Sequence, residues 1–410
     1  MISGSGTPLA KRLLRRAGQA FAFLLFCLLG LPGVIARLAR RPSPVGQVRR
    51  ILIIRLDLLG DMVMSLPAVD AMKDAFPEAQ VTVLALPYAA GLLELAPRVD
   101  RVLSFDVNLV RRPRELLRRG NWRHFRDLIH ELRSADFDVC LSLHGKFACV
   151  LAWLSGCSRR YGYRAEAYPG LLTHTIPGGR YRVRQHEVLY NLKLAEVAGG
   201  SVDWNKPRAP RLQVPQSEQR RMRHLLGEFE IRADTLLVVI HPGAANGSAK
   251  RWPAESWARL AGRLKHDLGA IVVLSGTASD AAVVEDVARA CSFRPLIMAG
   301  QTSIPQFGAL IKRADLLLSS DSGPAHMAAA LGTPQVTLFG PTDPAVYAPS
   351  GGKALILRRQ LACSPCYNAS ASAECRFGHV NCMREIDPDE VYNASVRQLQ
   401  RRLQSGGVHR

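Results

Sequence analysis

The chain has 410 residues, enough for two domains of ordinary size, and its hydrophobic content of 48% is ample for packed cores. A formal net charge of +20 predicts a strongly basic surface, suited to nucleic acid, anionic lipid or a phosphorylated substrate. The basic residues concentrate near the N-terminus and around residues 111–126, without a dense basic tail, which argues against nucleic acid as the partner.

Residues 1–48 are predicted to form a membrane-associating segment. The apolar run of residues 21–36 is shorter than the roughly 20 residues of a membrane span, and Gly30, Pro32 and Gly33 interrupt it. Lys and Arg flank both ends, as expected for a segment that lies on an anionic leaflet at the cytoplasmic face of a bacterial inner membrane. A cleaved signal peptide and a helix packed on the protein remain alternatives.

Residues 49–208 alternate between predicted strands and helices. The strands are residues 51–54, 81–86, 101–105 and 138–143, and the helical patterns are residues 122–134 and 187–198. Such alternation predicts a parallel sheet that is covered on both faces.

After a linker-like stretch at residues 200–216, the alternation resumes in a second domain, residues 216–386. Its strands are residues 235–240, 270–274, 314–319 and 335–339, and its helices are residues 256–268, 280–291 and 304–312. Residues 387–410 read as a basic amphipathic helix and tail. Ligands of doubly wound sheets bind outside the carboxyl ends of the strands, so we expect functional residues there.

One strand end in the second half has the features of an anion site. The apolar strand stops at Ser-Asp-Ser-Gly, residues 320–323, and Pro324 then opens a helix. Ser322 or Asp321 can cap that helix, and its N-terminus would suit a phosphate. An ordinary strand–turn–helix joint is the alternative.

Three other strand ends in this half carry turns or polar groups. A tight turn at residues 241–245 leads to Lys250, which can neutralise a diphosphate or be a solvated surface lysine. Thr277 offers a hydroxyl to a ribose or base, and residues 340–344 form a rigid turn. Together these pieces predict a pocket for a nucleotide diphosphate. No G-x-G-x-x-G follows the first strand, and no P-loop, G-x-S-x-G or H-E-x-x-H motif is present.

The pieces ILIIRLDLLGDMVMSLPA, HPGA…KRWP, LSGT and SSDSGPAHMAAALGTPQVTLFGPTDP, in this order, resemble glycosyltransferase family 9 over about residues 49–395. The best-known members of that family are the ADP-heptose:lipopolysaccharide heptosyltransferases. The resemblance implies an α/β protein of GT-B fold, in which two Rossmann-like doubly wound domains face a central cleft. The amino-terminal domain would bind the acceptor, and the carboxyl-terminal domain would bind the nucleotide sugar.

The resemblance also assigns roles to single residues. Asp61 matches the acidic residue of the family's GD motif, which implies a general base in an inverting, metal-independent transfer. Lys250 matches the family's phosphate-binding lysine. The donor-binding loop is matched by Asp321, Ser322, Gly323 and His326.

The alternatives for these residues are structural. Asp61 is also the kind of residue that the dipole favours in a first helical turn, and His326 could be a buried structural histidine. Asp57 is another carboxylate nearby, outside the GD motif. The leaving diphosphate needs positive charge and oriented N–H groups rather than an acid. The metal-independent transfer that the resemblance implies would require no cofactor.

The Arg-rich stretch of residues 111–126 lies in the presumed acceptor domain. Its arginines are candidates for binding a phosphorylated, lipid-linked glycan or anionic headgroups, because guanidinium binds phosphate in a bidentate manner. The candidates are Arg111, Arg112, Arg118 and Arg119. A solvated basic helix is the alternative.

Four of the nine cysteines cluster within residues 363–382, with the spacing C-x2-C-x8-C-x6-C. Cys363, Cys366, Cys375 and Cys382 can be read as a structural tetrathiolate zinc site, whereas two disulfides suit a cytoplasmic protein less well. The other five are predicted to be buried thiols on apolar segments: Cys27, Cys140, Cys149, Cys157 and Cys291.

The leading hypothesis is an inverting glycosyltransferase that moves a sugar, first of all heptose from ADP-heptose, to a lipopolysaccharide core or related surface glycan. Another nucleotide sugar or acceptor is an alternative within this class. The alternatives from other classes are a non-catalytic nucleotide- or glycan-binding scaffold at the membrane and a nucleotide-sugar epimerase. Asp61, together with Lys250 and Asp321, favours the enzyme, because a protein that only binds need not keep an acid there.

Overall fold

The computed structural model describes residues 47–111, 118–166, 168, 170–179, 184–245, 247–351, 354–367 and 374–404. Two parallel six-stranded sheets organise these residues. The first sheet contains β1 (Arg50–Arg55), β2 (Gln80–Ala85), β3 (Arg101–Ser104), β4 (Val139–Ser142), β5 (Arg159–Tyr163) and β6 (His174–Ile176). The second contains β7 (Leu237–His241), β8 (Ile271–Leu274), β9 (Leu296–Ile297), β10 (Leu316–Ser320), β11 (Gln335–Phe339) and β12 (Ala354–Arg358).

Both sheets have the same strand order. The first runs β3-β2-β1-β4-β5-β6 and the second β12-β11-β10-β7-β8-β9, so each half places its first and fourth strands side by side. This is the strand order of the Rossmann fold. From the first strand the chain moves outward in one direction, and from the fourth strand it moves outward in the other, so a topological switch point lies between these two central strands. The predicted doubly wound α/β fold is therefore confirmed, with a switch point for ligand binding in each half.

Helices cover both faces of each sheet. In the first half they are α1 (Leu59–Val63), α2 (Leu66–Ala75), α3 (Pro87–Leu93), α4 (Asn108–Arg111), α5 (Arg119–Ser134), α6 (Lys146–Leu154) and α7 (Glu187–Val197). In the second they are α8 (Gln216–Gly227), α9 (Ala254–Leu268), α10 (Ala281–Ala290), α11 (Ile304–Arg313), α12 (Gly323–Leu331), α13 (Pro344–Tyr347), α14 (Asn381–Arg384) and α15 (Pro388–Gln404).

The central strands are buried on both faces, which explains why they read as continuous apolar runs. Ile51 and Ile53 of β1 join one hydrophobic cluster, whereas Leu52 and Ile54 join another on the opposite face. The first of these clusters continues into the second half through residues such as Leu317 of β10. The two halves are thus joined by a shared apolar core on one side of the sheets.

Four short strands were missed by the sequence reading: β5, β6, β9 and β12. Their side chains are only partly buried over much of their length, so they lack the apolar run by which the other strands are recognised. The predicted helices are all present, with ends that differ by one to three residues from those expected.

The amphipathic carboxyl-terminal helix α15 packs back on the second domain. Its Gln398 donates to the Gln335 carbonyl oxygen at 3.0 Å, and Arg402 forms an ion pair with Asp315 at 3.0 Å. Residues 1–46, with the apolar run predicted to associate with a membrane, lie outside the described residues. Among the residues that are described, no helix is long and apolar enough to cross a membrane.

Candidate active site in the cleft between the sheets

The candidate base Asp61 lies in α1, just beyond the carboxyl end of β1 and at the switch point of the first sheet. Its side chain is 11% exposed, and its Oδ1 lies 3.4 Å from Nη2 of Arg55, which is fully buried. The N-cap of α1 is Leu58, without a side-chain hydrogen bond, so Asp61 does not cap the helix. The carboxylate instead faces an arginine at the edge of the cleft.

The donor loop follows β10 at the switch point of the second sheet. Ser322 is the N-cap of α12, as predicted, but its hydroxyl donates to the Ser320 carbonyl oxygen at 3.0 Å and makes no side-chain capping bond. Pro324 sits in the first turn of α12. Pro324 has no N–H, and the Ala325 N–H donates to the Ser322 carbonyl oxygen at 3.1 Å, which leaves the Gly323 N–H at the first helical position as a donor for an anion.

Lys250 reaches this loop from the turn after β7. Its Nζ donates to Asp321 Oδ2 at 2.8 Å and lies 4.8 Å from the ring centroid of Tyr367. Burial opposes the charge on Lys250, but Asp321, with help from Tyr367 and Asp61, outweighs burial and raises the pKa of the lysine. With a side chain only 13% exposed, Lys250 is not a solvated surface lysine.

His326 lies one turn into α12, where it is buried at the junction of the two domains. Burial lowers its pKa, against the opposing effect of Asp321 and Asp61, so the imidazole is neutral at pH 7. Its Nε2 lies 3.9 Å from Asp321 Oδ1. Its Nδ1 is buried and has no hydrogen-bond partner within the described part of the chain.

The base and the donor loop come together because α1 packs directly on α12. A Cβ on Gly60 would lie 2.7 Å from His326 Cδ2, and a Cβ on Gly323 would lie 2.9 Å from Leu59 Cδ2. Only glycine allows backbones to approach this closely. The glycines beside Asp61 and Asp321 therefore set the separation between the two halves of the site.

Several buried hydroxyls at the donor end of the cleft have no hydrogen-bond partner among the residues described. They are the Oγ atoms of Ser319 and Ser320 and the Oγ1 of Thr342. They lie near the ends of β10 and β11. Because successive side chains of a strand point to opposite faces of the sheet, the hydroxyls of Ser319 and Ser320 do not face one common space.

Two polar residues near the end of β8, Thr277 and His241, have partners or burial of their own. The Thr277 hydroxyl donates to Asp280 Oδ2 at 2.6 Å, in a capping box that starts the next helical turn. Its role toward a donor therefore remains a prediction. His241, at the end of β7, is fully buried beside Ser275, and burial lowers its pKa to about 4.

The arginine candidates for the acceptor surface lie between β3 and the first turn of α5. Arg111 ends α4, Arg119 begins α5, and Arg118 between them is exposed. Arg112 lies outside the described residues. Because the chain leaves β3 at the carboxyl edge of the sheet, this stretch starts from the same edge as Asp61.

The four clustered cysteines surround one small cavity. Cys363, Cys366, Cys375 and Cys382 line a space of about 50 Å³, and all four are free thiols. The Tyr367 N–H donates to the Pro341 carbonyl oxygen at 2.8 Å, which attaches this segment to the loop after β11.

The other cysteines agree in part with the prediction of buried thiols. Cys140, Cys149 and Cys157 are buried in the core of the first domain, and burial raises the pKa of Cys149 to about 11. Cys291 is only partly buried, at the end of α10. Cys27 lies outside the described residues.

Four residues of the site were missed in the sequence: Arg55, Glu187, Asn191 and Tyr367. Arg55 directly follows the predicted apolar strand of residues 51–54, and it is fully buried. Glu187 and Asn191 are one turn apart on α7, about 130 residues from Arg55, so local spacing gives no sign that they meet. The signal available in the sequence was an arginine placed directly after an apolar strand, since a charged residue in such a position needs a partner if it is buried.

Comparisons with known proteins identify the family of the chain. A family model described as "Glycosyltransferase family 9 (heptosyltransferase)" matches residues 125–376. Lipopolysaccharide heptosyltransferase 2 of Salmonella typhimurium is 29% identical over 88% of this chain and 100% of its own length. The Escherichia coli protein of the same name is 30% identical over 83% of this chain and 96% of its own.

A solved structure repeats the two-domain architecture. The E. coli ADP-heptose lipopolysaccharide heptosyltransferase II superposes with a TM-score of 0.69 at 25% identity, over 86% of this chain and 99% of the other. The family model covers more than half of the chain, and the E. coli relative is matched over nearly its whole length. The chain therefore belongs to glycosyltransferase family 9.

Proposed function

We propose that the chain is an inverting heptosyltransferase that moves heptose from ADP-heptose to a lipopolysaccharide core acceptor. Its relatives of known name supply the donor and the acceptor class of this proposal. The observation that carries the proposal within this chain is the packing of α1 on α12, which brings the Asp61 carboxylate to the same cleft as Lys250 and the donor loop.

The proposed reaction has two halves that match the two halves of the cleft. Asp61 takes the proton of the acceptor hydroxyl as that oxygen attacks the anomeric carbon of the donor. The bond from the anomeric carbon to the diphosphate breaks, and the configuration inverts. Lys250 and the Gly323 N–H at the start of α12 stabilise the charge that develops on the leaving ADP.

We propose that the amino-terminal domain holds the acceptor. The basic stretch around Arg118 would bind phosphates of the acceptor or anionic headgroups, and the enzyme would work at the cytoplasmic face of the inner membrane. The net charge of +20 supports an anionic partner. Charge-reversal of Arg118 should raise the KM for the acceptor without changing the KM for the donor, and an unchanged acceptor KM would contradict this role.

For the four clustered cysteines we propose a structural zinc ion, on their spacing and their shared cavity. As arranged in the described residues, no three His, Cys, Asp or Glu side chains form a ligand set, so the thiols would have to draw closer to bind it. The site would have no part in the chemistry of transfer. Metal analysis of the purified protein tests this, and a fully active, zinc-free sample would contradict it.

The decisive experiment is a transfer assay with ADP-heptose and a panel of truncated core acceptors. The wild type should transfer heptose, and Asp61→Asn should lose about 100- to 10,000-fold in kcat, because it cannot accept a proton. Binding of ADP should survive the substitution, since Asp61 lies on the acceptor side. Full activity of Asp61→Asn would exclude it as the base, and donor binding without any transfer would favour a scaffold.

A further inference from the structure

Arg55 is the centre of a buried charge cluster behind the candidate base. None of its side chain is exposed, and its Nη2 lies 2.9 Å from Glu187 Oε1, 3.2 Å from Asp57 Oδ2 and 3.4 Å from Asp61 Oδ1. Burying a guanidinium costs free energy unless it is paired. The carboxylates therefore stabilise the buried charge of Arg55, and Arg55 in turn stabilises theirs. The three contacts converge on a single nitrogen.

A second set of hydrogen bonds fixes the backbone of α1 to the same helix α7. Arg55 Nη1 donates to Asn191 Oδ1 at 3.2 Å, and Asn191 Nδ2 donates to the Met64 carbonyl oxygen at 3.1 Å. Ser65 Oγ donates to the Asp61 carbonyl oxygen at 2.8 Å. Asp61 is therefore held by its backbone from one side and by its carboxylate from the other.

The charge around Asp61 comes from both domains. Behind it, the buried Arg55 lies within 4 Å of three carboxylates of the first domain, and His144 lies 3.7 Å from one of them, Asp57. In front, Asp61 acts electrostatically on Lys250 and His326 of the second domain. Among the described residues, the charged and titratable groups around it include Arg55 from β1, Asp57 from the following loop with His144 beside it, Glu187 from α7, Lys250 from the turn after β7, and Asp321 and His326 at the start of α12.

We propose that Arg55 is a positioning residue for Asp61: anchored by Glu187 and Asn191, it orients the Asp61 carboxylate toward the cleft and keeps it ionised. This inference rests on the proposed role of Asp61 as the general base. A cation within 4 Å favours the ionised form of a carboxyl, whereas nearby carboxylates disfavour it. Arg55 offsets the repulsion that Asp57 and Glu187 would otherwise exert on Asp61.

Two substitutions should move the protonation of Asp61 in opposite directions. Arg55→Met removes the cation and should shift the acid limb of kcat/KM upward by about one pH unit or more. Glu187→Gln removes a competing carboxylate, leaves Arg55 charged and should shift the same limb downward. If the arginine were purely structural, both variants would lose activity, but the acid limb of kcat/KM would lie at the same pH in both.

A direct readout does not depend on turnover. In protein labelled with ¹³C at the aspartate carboxyl carbons, the Asp61 signal is identified as the one lost in Asp61→Asn. Its titration should move up in Arg55→Met and down in Glu187→Gln, relative to wild type. Arg55→Lys keeps a positive charge and should restore most of the wild-type titration, even though its geometry differs.

The controls separate folding from protonation. Arg98→Met removes another arginine of the first domain, paired with Asp74 at 2.5 Å, and should leave the Asp61 titration unchanged. If Arg55→Met fails to fold, as the loss of a buried partner could cause, Glu187→Gln and Arg55→Lys still test the inference by their titrations.

The outcomes distinguish this inference from the proposed function. Unshifted Asp61 titrations in the folded variants would overturn the role of Arg55, even if Asp61→Asn is inactive as expected. An active Asp61→Asn would instead remove Asp61 as the base and, with it, the positioning role. Opposite shifts together with an inactive Asp61→Asn would support both.

Discussion

At the scale of single residues, the site depends on charges that are buried and paired across long stretches of sequence. Lys250 and Asp321 are 71 positions apart and form an ion pair with both side chains at least 87% covered. Removing one partner of such a pair leaves the other charge uncompensated, and this typically costs about 3–5 kcal/mol. A loss of activity in a single variant therefore has two possible causes, in the fold or in the chemistry.

Lys250→Met should reduce kcat about 100- to 1,000-fold, because it removes a charge that stabilises the leaving diphosphate. It should also lower the free energy of unfolding, because Asp321 loses its partner. The double variant Lys250→Met/Asp321→Asn should regain stability but not activity. Recovery of activity along with stability would show that the lysine serves the fold alone. Lys265→Met, on the exposed face of α9, is the control and should change neither quantity.

The sequence predicted several residues that lie at the cleft, but it did not predict which side chains they pair with. Asp61, Lys250, Asp321 and His326 are all gathered at one cleft. The Lys250–Asp321 ion pair and the Arg55 cluster were not predicted, because a side-chain partner depends on which strand ends become neighbours. That order is set by the packing of the whole sheet and not by any local pattern.

At the scale of elements, the contact between α1 and α12 brings the candidate base and the candidate donor loop together. The two helices lie so close that each has a glycine at the contact: Gly60 faces the His326 side chain, and Gly323 faces the Leu59 side chain. The sequence indicated both helix starts, but it could not indicate that they touch, because Gly60 and Gly323 lie in different domains.

Gly60→Ala should separate these helices, because its new Cβ would lie 2.7 Å from the His326 ring, and histidine there is buried with little room to move. We expect a drop in kcat of about tenfold or more, since misplacement by about 1 Å can cost 100-fold. Gly227→Ala, where a Cβ would meet nothing within 4 Å, is the control and should keep wild-type activity. Equal activity in both variants would show that the α1–α12 spacing does not limit the reaction.

At the scale of the whole molecule, the donor side buries imidazoles that are neutral in the folded state. Burial lowers the pKa of His241 to about 4 and also lowers the pKa of His326. The unfolded chain takes up protons on both near pH 6.5, whereas the folded chain does not. Stability is therefore fully present above that pH and is lost as the pH falls.

The free energy of unfolding should decrease between pH 6.5 and pH 4, by up to about 1.4 kcal/mol per pH unit for each histidine. Chemical denaturation at several pH values measures this slope. His241→Asn should make it shallower, because one of the two groups no longer titrates. A slope equal to that of the wild type would contradict the neutral state of His241.

The doubly wound class of the fold was predictable, because parallel strands buried on both faces leave apolar runs that alternate with amphipathic helices. Strands β6, β9 and β12 were not, because they are short or nowhere fully buried. Strand β5 lies inside the sheet and buries Tyr161, Gly162 and Tyr163, but it begins with two arginines and so lacks a continuous apolar run.

The identical strand order of the two sheets has a consequence for how such enzymes can diversify. Each half presents its own switch point. Under the proposed assignment of the acceptor to the first half and the donor to the second, one half can change the sugar it accepts while the other changes the glycan it extends. The two halves share an apolar core, and at the α1–α12 contact Gly60 faces His326 and Gly323 faces Leu59. A chimera that preserves those two matched pairs, keeps α7 with its Glu187 and Asn191, and exchanges the chain from α8 onward should keep the chemistry of this chain's first half and take the donor of its new second half.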